Sequence, residues 1–182
     1  MTKVRCCRTV FTRCWNGDKC GTMERINRIC RHPLWKESVA EIQRLEEKRI
    51  FCRHNPAHYL DVARIAYIEN LEKNVGISKE VIYAAALLHD IGRHRQYLEG
   101  IPHEEAGAVL ADQILRDCGF TETEQKEIIS AISEHRTQEA AGKDNLQGLI
   151  YRADKSSRSC LFCSAFDECN WSTEKKNITL NI

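Results

Sequence analysis

From Met23 onward the apolar positions recur every three or four residues, and no stretch alternates with a period of two, so the pattern predicts an all-α chain. Pro33 suits the first position of a helix that carries Leu34, Trp35, Val39, Ile42 and Leu45 inward while Glu41, Arg44, Glu46, Glu47 and Lys48 face water. Asn55 and Pro56 open a second helix through Val62, Ile65 and Ile68 to about Asn74, with Gly76 as its stop. Ser78 caps a third. After a loop at Arg93–Arg95, another helix runs from Pro102 to Gly119. Thr121 and Glu124 form a capping box for a helix bearing Ile128, Ile129 and Ile132, and Asp144 caps a last one through Leu146, Leu149 and Ile150 to about Arg158. The sum is a bundle of six or seven helices.

One of these helices is unlike the rest. Tyr83 to His94 reads YAAALLHDIGRH, an apolar run too short to span a membrane, which takes about 20 residues. It reads instead as a buried helix whose C-terminus delivers His89 and Asp90 into the interior. Those two groups are costly to desolvate unless something pairs with them, and a metal ion is the usual partner. The negative end of the helix dipole favours a cation at that place.

Composition adds limits. The 182 residues, 42% of them hydrophobic, suffice for one core, and a net charge of +1 gives no reason to expect a nucleic-acid or membrane-surface partner. No segment has the apolar length of a transmembrane helix or of a signal peptide, so a cytoplasmic protein is expected. On that expectation the ten cysteines read as reduced thiols, some of them metal ligands, rather than as disulfides.

Four of the seven histidines fall at helix ends: His58 and His103 in first turns, His89 and His135 near C-termini. With Asp90 and Asp154 they make four imidazoles and two carboxylates, a set suited to two divalent transition metals bridged by a carboxylate and a water. The order H, HD, H, H, D over about a hundred residues serves no local structural need. Taken singly, each has an ordinary alternative: His103 as a surface residue, Asp154 as a partner of Arg152 or Arg158. His32, outside the order, is expected to be structural or exposed.

The strings HYLDVA, LLHDIG, PHEEAGA, SEHR and RADKSSR closely resemble the HD-domain metal-dependent phosphohydrolases, over roughly residues 50 to 160. The fuller six-ligand pattern is similar to the subgroup that includes the HD-type diadenosine tetraphosphatases. The resemblance implies an HD-domain helical bundle in which His58, His89, Asp90 and Asp154 bind a first metal, Asp90 also bridges, and His103 and His135 complete a second site. It implies one or two divalent ions (Fe, Mn or Zn) and hydrolysis of a phosphate ester or anhydride by a metal-activated water. A nucleotide or dinucleoside polyphosphate is the leading substrate. Beside Asp90, the residues expected to hold phosphate are Arg93, His94, Lys155 and Arg158, with Arg136 a weaker candidate. His54 is expected to act behind the ligands or on phosphate. The alternative is a regulatory HD-type module that binds nucleotide and metal without turnover. Oligomeric state is not legible.

Two flanks stand outside this 23–158 domain. Residues 1–22 hold Cys6, Cys7, Cys14 and Cys20 among basic residues, either as a small metal-binding arm or as an extension upstream of a true start at Met23, with a disordered tail as the plainer reading. Residues 159–182 contain Cys160, Cys163 and Cys169 in CLFCSAFDEC. A C-x2-C pair is half of a zinc or iron–sulfur site, and Cys52 or Cys30 could supply a fourth ligand. The expected role is to anchor the chain beside the active site; free thiols are the alternative.

Overall fold

A computed structural model describes residues 22–179, which form helices and irregular segments with no strand among them. The helices are α1 (Glu24–Arg31), α2 (Pro33–Leu45), α3 (Pro56–Glu72), α4 (Lys79–Leu88), α5 (Arg93–Glu99), α6 (His103–Asp117), α7 (Glu122–Glu134) and α8 (Leu146–Ser156). The all-α class expected from the sequence pattern holds for the described residues. The segment with Cys6, Cys7, Cys14 and Cys20 lies outside the described residues.

The apolar run of α4 is the centre. Val81, Ile82 and Ala84 to Leu88 are buried, and α3, α7 and α8 pack around them. The alanines let these backbones approach closely. Trp35 of α2 donates its indole N–H to Leu87 O at 3.0 Å, one of the carbonyls that the end of α4 leaves without a helical partner.

Caps and turns set where the helices end. Pro33 and Pro56 occupy first-turn positions, and the His32 ring accepts from Leu34 N, so His32 is structural. The Thr121–Glu124 capping box forms in both directions. Three details differ from expectation. Asn74, two residues past the end of α3, takes the left-handed conformation (φ 53°), and Gly76 follows with φ 84°. Asn145, not Asp144, caps α8, accepting from Gly148 N at 3.1 Å; Asp144 pairs with Lys73 instead. Arg93–Glu99, expected as loop, is the helix α5.

Gly92 also differs. Its φ of −76° is open to any residue, so backbone conformation does not call for glycine here. A Cβ at this position would lie 2.2 Å from His103 O and 2.4 Å from Gly107 N. Its lack of a side chain is what lets the turn after Asp90 touch the start of α6.

Candidate metal centre

Five helix ends converge at one end of the bundle. The Asn55 side chain caps α3 by accepting from His58 N at 3.0 Å, which fixes His58 in the first turn. His89 and His135 are the C-caps of α4 and α7, His103 begins α6, and Asp154 sits in the last turn of α8. All six side chains of the expected set are buried, with His89 and Asp90 at 0% exposure.

Asp90 stands between two groups. Its Oδ2 lies 3.1 Å from His89 Nε2 and 3.6 Å from His58 Nε2. Asp154 Oδ1 closes that side, 3.5 Å from His58 Nε2 and 3.8 Å from His89 Nε2. Oδ1 of Asp90 faces the other way, 3.2 Å from His103 Nε2 and 3.7 Å from His135 Nε2. The donor atoms of His58, His89, Asp90 and Asp154 lie within 4.8 Å of one another, as do those of Asp90, His103 and His135.

The imidazoles are held by their other nitrogen. Nδ1 of His89 donates to Ala86 O at 2.7 Å, that of His135 to Ile132 O at 2.6 Å, and that of His103 to Gln96 Oε1 at 2.6 Å. Ser157 Oγ donates to Asp154 O, leaving the hydroxyl to accept from His58 Nδ1 at 3.2 Å. With Nδ1 tied in this way each Nε2 is turned toward Asp90, the orientation in which a histidine binds metal. His103 Nε2 and His135 Nε2 lie 3.1 Å apart, close enough to serve one cation between them. His89 Nε2 and both Asp90 oxygens are buried with no hydrogen-bond partner. This donor set is able to bind divalent metal ions.

Charge balance points the same way. Burial disfavours a charge on His89, yet Asp90 and Asp154 outweigh it and push the imidazole up to about 9. Burial would raise Asp90 too, but His89 and Arg93 hold it well below the usual carboxylate range. His58 is brought down to about 4, chiefly by burial. A proton on His89 thus does, between two carboxylates, what a metal cation would do.

The cations fall into two classes. Arg93 Nε lies 2.8 Å from Asp90 Oδ1 and Lys155 Nζ 2.6 Å from Asp154 Oδ2. Arg158 is buried and donates to His58 Nε2 at 3.1 Å. These three and Arg136 line a cleft of about 500 Å³ that opens onto His103 and Asp154. His94 does not join them. Its ring donates to Ile91 O, and it lies in a separate groove beside Glu41, Arg44 and Leu110, away from the cleft where a phosphate contact was expected.

A buried dyad was not anticipated. Glu46, expected to face water, is 3% exposed; it accepts from His54 Nδ1 at 2.5 Å, from His54 N at 2.7 Å and from the Tyr97 hydroxyl at 2.5 Å. This points His54 Nε2 at Asp90 Oδ2, 3.8 Å away. Glu46 follows Ile42 by four residues and so continues the apolar stripe of α2, a position at which a carboxylate signals a buried partner. Gln96, Tyr97 and Ser157 carried no such signal.

Comparison with known proteins agrees with this geometry. The model of the HD domain family matches residues 57–159. A protein of Clostridium beijerinckii described as uncharacterised is 42% identical over 158 residues, 87% of this chain and 99% of its own length. The crystal structure of a predicted HD superfamily hydrolase from an uncultured Thermotogales bacterium superposes with a TM-score of 0.59 at 21% identity, over 80% of each chain, a likeness of fold. No helix among the described residues is long and apolar enough to cross a membrane.

Proposed function

Since the chain belongs to the HD domain family, we propose that it is a metal-dependent phosphohydrolase of the six-ligand kind, acting on a nucleotide or dinucleoside polyphosphate. His58, His89, Asp90 and Asp154 would hold one divalent ion and His103 and His135 a second, with Asp90 shared by both. Iron or manganese suits this mixture of imidazole and carboxylate. The observation that carries the reading is the pair of buried Asp90 oxygens, each facing its own set of Nε2 atoms.

Divalent ions bound there supply a Lewis acid and a nucleophilic water at neutral pH. The chain's own part is to bind and orient phosphate. Arg158, Lys155 and Arg136 face the cleft, where negative charge spreads over the nonbridging oxygens as phosphoryl transfer proceeds. Arg93, tied to Asp90, holds that carboxylate ionised and in place. Phe51 and Trp171 line the same cleft and offer ring faces on which a base could stack, which supports a nucleotide over a simple phosphate. The described cysteines form no disulfide with one another, and a cytoplasmic setting is part of this reading.

Purified protein loaded with manganese or iron is tested against a generic phosphoester and a nucleotide panel. Turnover of a nucleotide, lost in Asp90→Ala, is the expected result. Bound metal and nucleotide without turnover would replace this reading by the regulatory module.

A further inference from the structure

The second wall of the cleft carries chemistry that phosphate hydrolysis does not use. Cys52, Cys160, Cys163 and Cys169 all line it, although Cys52 stands more than a hundred residues before the others. Cys30 is elsewhere, on the core near Cys118, so among the described cysteines Cys52 is the one placed to be the fourth. Burial raises the Cys52 thiol; Arg158 acts against that, and Cys160, Cys163 and Cys169 each raise it further, as neighbouring thiolates would.

The segment holding these thiols has little else to order it. Between Ser159 and Thr179 only Cys160 and Ala165 are buried, while Leu161 and Phe162 are 50% and 74% exposed. Its docking is polar: Asn177 Nδ2 donates to Lys155 O at 2.7 Å and to Arg158 O at 2.8 Å, while Lys176 Nζ donates to Phe166 O at 2.7 Å within the segment. A segment of this size without an apolar core is commonly stapled by a metal group or by disulfides. Cys160 to Cys163 forms a tight turn, with Cys163 N donating to Cys160 O at 3.1 Å, so both thiols of the C-x2-C pair can face one centre.

We propose that Cys52, Cys160, Cys163 and Cys169 ligate a [4Fe–4S] cluster in the wall of the cleft, beside the histidine–aspartate site. A single tetrahedral zinc, with bonds of about 2.3 Å, draws its four sulfurs to about 3.8 Å from one another. Among the described residues, the donor groups that converge within 4.8 Å contain no cysteine. A cluster sets irons and sulfides between its thiolates and so joins cysteines that stand further apart. Four thiolates leave such a cluster anionic, and Arg49 and Arg158 in the same wall offset that charge. The cluster fixes the 159–179 segment over the cleft, and with it the main chain around Lys155 and Arg158.

The test is acid-labile sulfide on the full-length protein purified without oxygen, or reconstituted with iron and sulfide. Sulfide distinguishes the cluster from iron at the histidine–aspartate site. About four sulfides per chain, with broad visible thiolate-to-iron absorption, is the expected result. Cys160→Ala/Cys163→Ala should lose them and keep the helical circular dichroism, whereas replacing Cys6, Cys7, Cys14 and Cys20 together by serine should keep both. Zinc without sulfide, no sulfide at all, or a cluster that survives in the first variant and is lost in the second would each overturn the proposal. If the first variant does not fold, the sulfide content of the wild type and of the N-terminal variant decides.

Discussion

Replacing Gly92 by alanine should disable the second metal site without touching a ligand. The added Cβ would meet His103 O at 2.2 Å and Gly107 N at 2.4 Å, both main-chain atoms in the first turns of α6. Ordinary contact needs about 3.5 Å, so the turn after Asp90 and α6 must part by roughly 1 Å. Overpacking of this kind costs about 1–3 kcal/mol, and the upper end applies because main chain cannot rotate away as a side chain can. His103, whose Nε2 now lies 3.2 Å from Asp90 Oδ1, would shift by a similar amount, enough to cost about 100-fold in kcat. Urea denaturation, metal analysis and turnover on the same preparation measure all three effects. Gly107→Ala is the control: its Cβ would meet Ile132 Cγ2 at 3.5 Å, Gly92 N at 3.6 Å and His89 O at 3.8 Å, all ordinary contacts, and the gain in helix propensity, up to about 1 kcal/mol, should leave stability equal or higher. Wild-type stability, metal content and turnover in Gly92→Ala would refute the reasoning.

Other outcomes follow from the charges. Burial alone would raise the Glu46 carboxyl, but His54 and Tyr97 hold it down to about 2. Its ionised form therefore contributes stability that is full above the ordinary value of 4.5 and is lost as pH falls toward 2; Glu46→Gln should remove that acid dependence and cost about 2 kcal/mol at pH 7, read by denaturation across pH. Because His89 in metal-free protein is pushed up to about 9 by Asp90 and Asp154 against its burial, it is protonated at pH 7, and metal binding must release that proton. Calorimetry in buffers of different protonation enthalpy should show about one proton leaving and affinity weakening as pH falls; no release would contradict the assignment of His89. Arg158→Ala should lower kcat/KM by about 100-fold while metal content holds, as removal of one donor to a developing charge does.

The helices were legible because their signals are local. Pro33, Asn55–Pro56 and the Thr121–Glu124 box each act within one turn, and the apolar run of α4 could only be interior. The ligand order was legible for the opposite reason, that nothing local requires it. What escaped was decided across the fold. Arg93–Glu99 has no apolar stripe and no capping side chain, so nothing in its own residues marks α5 as a helix; it packs on α2 and α6. Gly92 is explained by the backbone of α6, and Glu46 by His54 and Tyr97, which no spacing along the chain places together. His94 follows Arg93 directly, yet successive residues on a helix point about 100° apart, which sends the two side chains to different faces.

The central claim is that Asp90 joins two ions, and manganese binding to the wild type and to Asp90→Asn tests it most directly. Metal analysis with electron paramagnetic resonance should find about two manganese per chain in the wild type, magnetically coupled through the shared carboxylate. In Asp90→Asn, with the helical signal retained, the coupling and at least one ion should be lost together with turnover. Two coupled ions in the variant, or a single uncoupled ion in an active wild type, would contradict the account.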